Sequence, residues 1–117
     1  MKPLLFATVL TSAFVLLSSC ASNDGEFTLV NRASEGISRA SVKICGQTFD
    51  LTELLPGRSV SRSYRVKGGC HFTIEVQFQS GRKLNEDNLG YVTSGANFKD
   101  EFTVTDSQIV MSGSQIN

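Results

Sequence analysis

The chain has 117 residues, with eleven Lys plus Arg against eleven Asp plus Glu and no net charge. That balance excludes a global electrostatic pull on nucleic acid or anionic lipid, and the length suits one small domain. Tryptophan is absent, so eight Phe, two Tyr and the aliphatic residues must supply any core.

Lys2 gives the N-terminus a positive start, and Leu4 to Leu17 is apolar apart from Thr8, Thr11 and Ser12. The run is shorter than the ~18–20 residues of a membrane-spanning helix and has the anatomy of an export signal. It ends in Leu17, Ser18, Ser19 and Cys20, where an ordinary secretory signal would end in small residues alone. This tetrad resembles the lipobox of bacterial lipoproteins: an aliphatic residue, two small residues and a cysteine. The resemblance implies that residues 1–19 are removed and that the Cys20 sulfur carries a diacylglycerol. The three acyl chains of a mature lipoprotein exceed the two signals that stable membrane attachment requires. Ala21 follows the cysteine; in that family an aspartate there favours the inner membrane, so Ala21 points to the outer membrane. The competing reading is a plain secretory signal that ends near a cysteine.

Residues 20–26 are expected to be a polar tether, extending at most ~25 Å from Cys20 to Phe27, with a periplasmic β domain over 27–117. Loss of residues 1–19 removes only Lys2 among the charged groups and leaves one negative charge in excess. Cys45 and Cys70 then form an even pair in an oxidising compartment, and a bridge between them is expected. A reactive pair of Cys70 with His71 is the rival, but neighbours in a strand point to opposite faces.

Beyond the tether the pattern is alternation rather than helical periodicity. "FTLVN" (27–31) reads as a strand. "ASVKICGQTFDL" (40–51) reads as a hairpin with Gly46 and Gln47 at its tip, which would set Ile44 against Phe49 and Lys43 against Asp50. An alternative makes Asp50 the cap of a short helix through Leu55. Pro56–Gly57 is a turn, "SVSRSYRV" (59–66) alternates, and Lys67–Gly68–Gly69 leads into "CHFTIEVQF" (70–78). In this last strand Phe72, Ile74, Val76 and Phe78 are expected to face inward. Residues 80–83 turn the chain again, and 85–97 are weakly patterned, with "GYVTSG" able to pair. "FTVTDSQIVM" (102–111) predicts a turn at Asp106–Ser107 that sets Val104 against Ile109 and Phe102 against Met111. About six to eight such strands indicate an all-β fold, a small antiparallel sandwich or barrel joined by hairpins, with an immunoglobulin-like arrangement among the possibilities. Inward parity suits Cys70 but not Cys45, which lies opposite to Ile44, so a bulge or end twist is needed to join the sulfurs.

Candidate chemistry is sparse. His71 is the only histidine, which rules out a multi-histidine metal site, and no metal or cofactor is expected. Gly68–Gly69 lacks the lysine–serine pattern of a phosphate loop. Glu86 and Asp87 are adjacent loop carboxylates without the rigid cleft that glycoside chemistry needs. Arg58, Arg62, Arg65 and Lys67 read as edge-strand protection, or alternatively as a contact for lipid headgroups or an acidic partner. No catalytic residue is assigned. Ser94–Gly95 with Phe98 three residues after the glycine is similar to the Ser-Gly-x-x-Tyr motif of membrane-bound inhibitors of c-type lysozyme. That similarity implies a binding loop of Ser94, Gly95 and Phe98 in which the serine reaches the lysozyme carboxylates. Phe replaces the tyrosine here, and the later Trp-x-Lys-Gly motif is missing. The expected function is therefore an outer-membrane-anchored, periplasm-facing, non-catalytic module that binds or scaffolds an envelope protein and no nucleic acid. A periplasmic lysozyme inhibitor is the alternative.

Overall fold

The computed structural model describes residues 24–117, and the expected signal and Cys20 lie outside the described residues. Eight strands follow in chain order: β1 (Asp24–Asn31), β2 (Ile37–Ile44), β3 (Gln47–Leu54), β4 (Ser59–Arg65), β5 (Cys70–Phe78), β6 (Lys83–Val92), β7 (Phe98–Val104) and β8 (Ile109–Ile116). They form two four-stranded sheets, ordered β4-β1-β7-β8 and β3-β2-β5-β6. The fold is an all-β sandwich, as the alternation predicts.

Connections differ from the expectation of hairpins throughout. Only β2–β3, β5–β6 and β7–β8 are hairpins within a sheet; every other link crosses to the opposite sheet. One consequence is that β1 lies parallel to β7, with Phe27 beside Asp100 and Leu29 beside Phe102. Crossing links leave the first strand free to enter the middle of a sheet that later strands complete, an event no local signal announces.

The core follows from period two. Phe72, Ile74, Val76 and Phe78 alternate inward along β5, and Phe27 and Leu29 do so along β1. Phe72 sits at the centre, its ring 6.1 Å from Phe27, 4.6 Å from Phe102 and 5.6 Å from Tyr64. Such edge-on and tilted aromatic pairs add to the area term that makes each buried ring worth several kcal/mol.

The β2–β3 hairpin corrects the expected register. Its two turn residues are Cys45 and Gly46, both left-handed (φ 50° and 77°), so Ile44 opposes Gln47, Lys43 opposes Thr48 and Val42 opposes Phe49. Both residues with φ > 0 define the two-residue turn whose twist matches the strands. The paired positions move by two relative to the expectation, which leaves every side chain on its expected face; face pattern alone does not discriminate between the two registers. The expected Lys43–Asp50 pair is lost, since Asp50 lies opposite Ser41. Residues 50–54 are strand and not helix. By contrast, the β7–β8 hairpin has the expected register, with Val104 opposite Ile109 and Phe102 opposite Met111.

The sandwich has two distinct ends. One carries Asp24, the β2–β3 turn, the β4–β5 and β6–β7 loops and the C-terminus; the other carries the β1–β2, β3–β4, β5–β6 and β7–β8 loops. β1 starts at Asp24, so the last residues of the expected tether belong to the sheet: Asp24, Gly25 and Glu26 pair with Arg65, Tyr64 and Ser63. Gly25 is required there. A Cβ at Gly25 would lie 2.2 Å from Tyr64 Cζ, so the glycine makes room for the buried tyrosine ring.

Candidate functional site

Cys45 and Cys70 are bridged, with their Cα atoms 5.4 Å apart. The parity conflict is resolved by the turn: Cys45 is not a strand residue, and its left-handed backbone releases its side chain from the alternation of β2. The bridge ties the β2–β3 turn to the start of β5 at the end where the described chain begins. Beside it, His71 Nδ1–H donates to the Gly90 carbonyl (2.6 Å), and the imidazole leans on the Tyr91 ring at 5.2 Å. His71 thus points away from the disulfide, on the exposed face of the sheet.

The three residues of the possible binding loop are divided by the structure. Ser94 lies on an exposed turn, and its Oγ accepts the Gly68 N–H (2.9 Å), which links the β6–β7 and β4–β5 loops. Gly95 is left-handed (φ 101°), with open space where a side chain would stand. Phe98 begins β7 and is buried in the core, so it does not share a surface with Ser94. Glu86 and Asp87 are exposed along β6 rather than in a loop. Arg62 and Arg65 lie on β4, which is an edge strand, while Arg58 precedes it and Lys67 follows it.

Several polar features escaped sequence reading. Asn31 is fully buried: its Nδ2 donates to the carbonyls of Glu35 (3.1 Å) and Leu54 (2.8 Å), and its Oδ1 accepts the Ala33 N–H (2.9 Å). One amide therefore closes the β1–β2 loop against the end of β3. Asp100 faces inward between Phe98 and Phe102 and is almost completely buried. Its Oδ1 accepts the Ser114 hydroxyl (2.8 Å), while Oδ2 and the buried Tyr64 hydroxyl have no hydrogen-bond partner among the described residues. Burial pushes the Asp100 carboxyl above the usual range against the opposing Ser114 bond; burial, and then the charge of Asp100, push Tyr64 up as well. The signal for Asp100 was its spacing, because Phe98, Asp100 and Phe102 share one parity.

Opposite the disulfide end, three loops are bound into one network. Ser80 donates its N–H (3.0 Å) and hydroxyl (3.2 Å) to the Glu35 carboxylate, which also meets Arg82 at 3.3 Å. Ser34 donates its N–H (2.7 Å) and hydroxyl (2.8 Å) to Asp106 Oδ1, and Arg82 also donates to the Asp106 carbonyl. The Arg82 guanidinium covers the Phe78 ring at 4.2 Å. Backbone N–H donors hold both carboxyls below their ordinary values, from Ser80 for Glu35 and from Ser34 for Asp106. These loops are ordered by charge-assisted bonds rather than by burial.

A groove of about 340 Å³ crosses the outer face of the β3-β2-β5-β6 sheet, lined by Arg39, Asp50, Glu75, Gln77, Lys83 and Asn85 among others. Register sets the chequered charge: Ser41 separates Asp50 from Glu75, while Gln77 lies between Arg39 and Lys83. The groove offers donors and acceptors of both signs to a polar surface. No group of three or more His, Cys, Asp or Glu that could hold a metal occurs among the described residues.

The fold and these surfaces define a small disulfide-bonded β-sandwich with polar outer faces. No family model matches the chain, and no curated protein matches it. Among solved structures it is similar to an NMR structure of a protein from Eubacterium rectale, at 18% identity and a TM-score of 0.58, over 81% of this chain and 94% of that one. It is also similar to a candidate cell adhesion protein from Bacteroides uniformis ATCC 8492, at 8% identity and a TM-score of 0.51, over 83% of this chain and 51% of that one. At these identities the likeness is one of fold.

Proposed function

We propose that this protein is a lipoprotein of the outer membrane, held by acylated Cys20, whose sandwich faces the periplasm as a non-catalytic module that binds or scaffolds an envelope protein. The observation that carries this reading is the position of Cys20, at the end of the lipobox-like tetrad and only four residues before the first strand. A spacer so short extends at most ~14 Å. Lipid on Cys20 would hold the disulfide end close to the bilayer and present the four opposite loops, with the Glu35–Arg82–Asp106 network, to the periplasm. The polar groove runs along the flank between the two ends. Rigid loops and a pre-formed polar face suit protein recognition, because little order is lost on binding.

Cys20→Ala tests the anchor: the variant should accumulate as an unprocessed or mislocalised precursor. An unmodified Cys20 in mass spectra of the wild-type protein would overturn the anchored reading. Crosslinkers placed at Arg32, Arg58 and Ser107 in living cells test the binding reading, with capture of one discrete envelope protein as the expected result. The lysozyme-inhibitor alternative draws little support from the geometry, because Ser94 Oγ is engaged by Gly68 and Phe98 belongs to the core. Saturable inhibition of c-type lysozyme that is lost in Ser94→Ala would favour it over scaffolding.

A further inference from the structure

The disulfide end of the sandwich differs from the other surfaces in what it leaves exposed. Tyr91 and Ile116, two of the three large apolar side chains that stand exposed among the described residues, both lie there, at 56% and 65% exposure; Leu55, the third, is at the opposite end. Tyr91 is next to last on β6 and Ile116 is last on β8, and these strands are the sheet edges that meet across the sandwich. The Tyr91 ring is held in place. It leans on His71 at 5.2 Å, and its hydroxyl reaches over Gly69, where a Cβ would collide with it. A fixed, exposed tyrosine joins an apolar ring to a polar tip, the combination favoured where hydrocarbon meets water.

Charge separates this end from the rest as well. The β2–β3 turn and the β4–β5 and β6–β7 loops contain no carboxylate; their only charged residue is Lys67, and Arg65 closes β4 just before it. Asp24 stands where the chain enters β1, and Glu26 is paired with Lys99 at 3.9 Å. The other surfaces all carry carboxylates. Glu101 lies on one outer face, Asp50 and Glu75 on the other, Glu53 on the β3 edge and Glu86 and Asp87 along β6. Glu35 and Asp106 belong to the far loops.

We propose that the disulfide end seats on a phospholipid surface, with Tyr91 and Ile116 at the boundary of acyl chains and headgroups and Arg65 and Lys67 on lipid phosphates. The inference rests on the acylation of Cys20 proposed above, because so small a patch holds a bilayer only when the domain is already anchored there. A spacer of at most ~14 Å brings this end within reach of lipid. The spacer alone also permits the sandwich to lie on a flank. Each flank, however, sets carboxylates against lipid phosphates, and the end avoids that repulsion. Seated on its end, the domain carries the far loops about a strand length, ~25 Å, from the surface.

The chain has no tryptophan, so single substitutions give unambiguous fluorescence reporters. Acylated protein is reconstituted on vesicles of phosphatidylethanolamine and phosphatidylglycerol that contain a lipid with a nitroxide on its headgroup. Tyr91→Trp reports on the disulfide end, Leu55→Trp on the far end, and Ser61→Trp and Asn85→Trp on the two flanks; all four positions are exposed. Quenching should be several-fold greater in Tyr91→Trp than in the other three. Adding Lys67→Glu should remove most of that excess while the melting temperature holds, since Lys67 is exposed. Quenching of Ser61→Trp or Asn85→Trp equal to that of Tyr91→Trp would put a flank on the lipid and overturn the proposal. Weak, uniform quenching at all four sites would overturn it too, as the mark of a domain hanging free on its tether. Acylation is read beforehand by mass spectrometry. Protein unmodified at Cys20 overturns the anchored reading and this inference with it, whereas acylated protein without the Tyr91→Trp excess overturns this inference alone.

Discussion

At the scale of single residues, Asp100 and Gly25 show how a buried position acquires a cost or a requirement. Asp100 is a carboxyl in an apolar setting whose pKa is raised, above all by burial. A carboxyl whose folded pKa exceeds its unfolded value contributes its full stability below the unfolded pKa, near 3.9, and that contribution is lost as pH rises through the folded pKa. Asp100→Asn should therefore raise the urea midpoint at pH 7, and the advantage should shrink towards acid pH, because burial disfavours the charged carboxylate of the wild type and not the neutral amide. The asparagine keeps an oxygen for Ser114 and adds an N–H donor on the side where Oδ2 has no partner. Equal or lower stability of Asp100→Asn at pH 7 would contradict the sign. Gly25 carries the opposite lesson. Its strand position holds the Tyr64 ring within van der Waals distance of the backbone, so Gly25→Ala forces the buried ring to move. An overpacking cost of about 1–3 kcal/mol is expected from urea unfolding.

The β2–β3 hairpin shows at the scale of elements how a turn and a covalent bond combine. Cys45 adopts a left-handed conformation that a residue with a Cβ resists by roughly 1–2 kcal/mol, and the bridge to Cys70 holds it there. The bridge closes a loop with a sequence separation of 25 residues. Chain entropy assigns it about 3.5 kcal/mol, a large share of the 5–15 kcal/mol typical of a small domain. Serine at Cys45 or Cys70 should lower unfolding free energy by about that amount, and the loss should match that of the reduced wild-type protein. A variant as stable as the oxidised wild type would show that the bridge constrains nothing. β6 illustrates weak legibility. Its residues are mostly exposed and its register is broken twice, so no clean alternation marks it, and it pairs because β5 offers a fully regular edge.

On the scale of the molecule, the two ends of the sandwich are stabilised by different means. The disulfide holds the end where the described chain begins, and carboxylate–serine–arginine bonds hold the loops at the other. Glu35 and Asp106 have depressed pKa values, so the contribution they make is present above their unfolded values, near 4.3 and 3.9, and is lost as pH falls through the lower folded values. The far loops should therefore loosen in acid before the core does. In an NMR titration the Ser80 and Ser34 amides should move with midpoints below those ordinary carboxylate values, and Glu35→Gln should remove the Ser80 transition alone. Midpoints at or above the ordinary values would show that these bonds do not persist in solution.

What the sequence determined by itself is whatever depends on neighbours along the chain. Alternating Phe72, Ile74, Val76 and Phe78 dictated an inward face, Asp106–Ser107 dictated a turn and its register, and an even pair of cysteines dictated a bridge. Each rests on period two, local backbone preference or simple pairing, and none needs the rest of the molecule. Tertiary structure decided what depends on residues far apart in sequence. Asn31 became a loop clamp because Leu54 and Glu35 bring their carbonyls to it, and Asp100 became a buried carboxyl because β1 and β8 enclose β7. The Cys45–Gly46 turn was chosen over the neighbouring register, since two registers shifted by two bury the same faces and only turn geometry separates them. The edge strands exist only once four crossing links have sorted eight strands into two sheets. An edge is a property of strand order, and strand order is set by long-range packing rather than by any local run of residues.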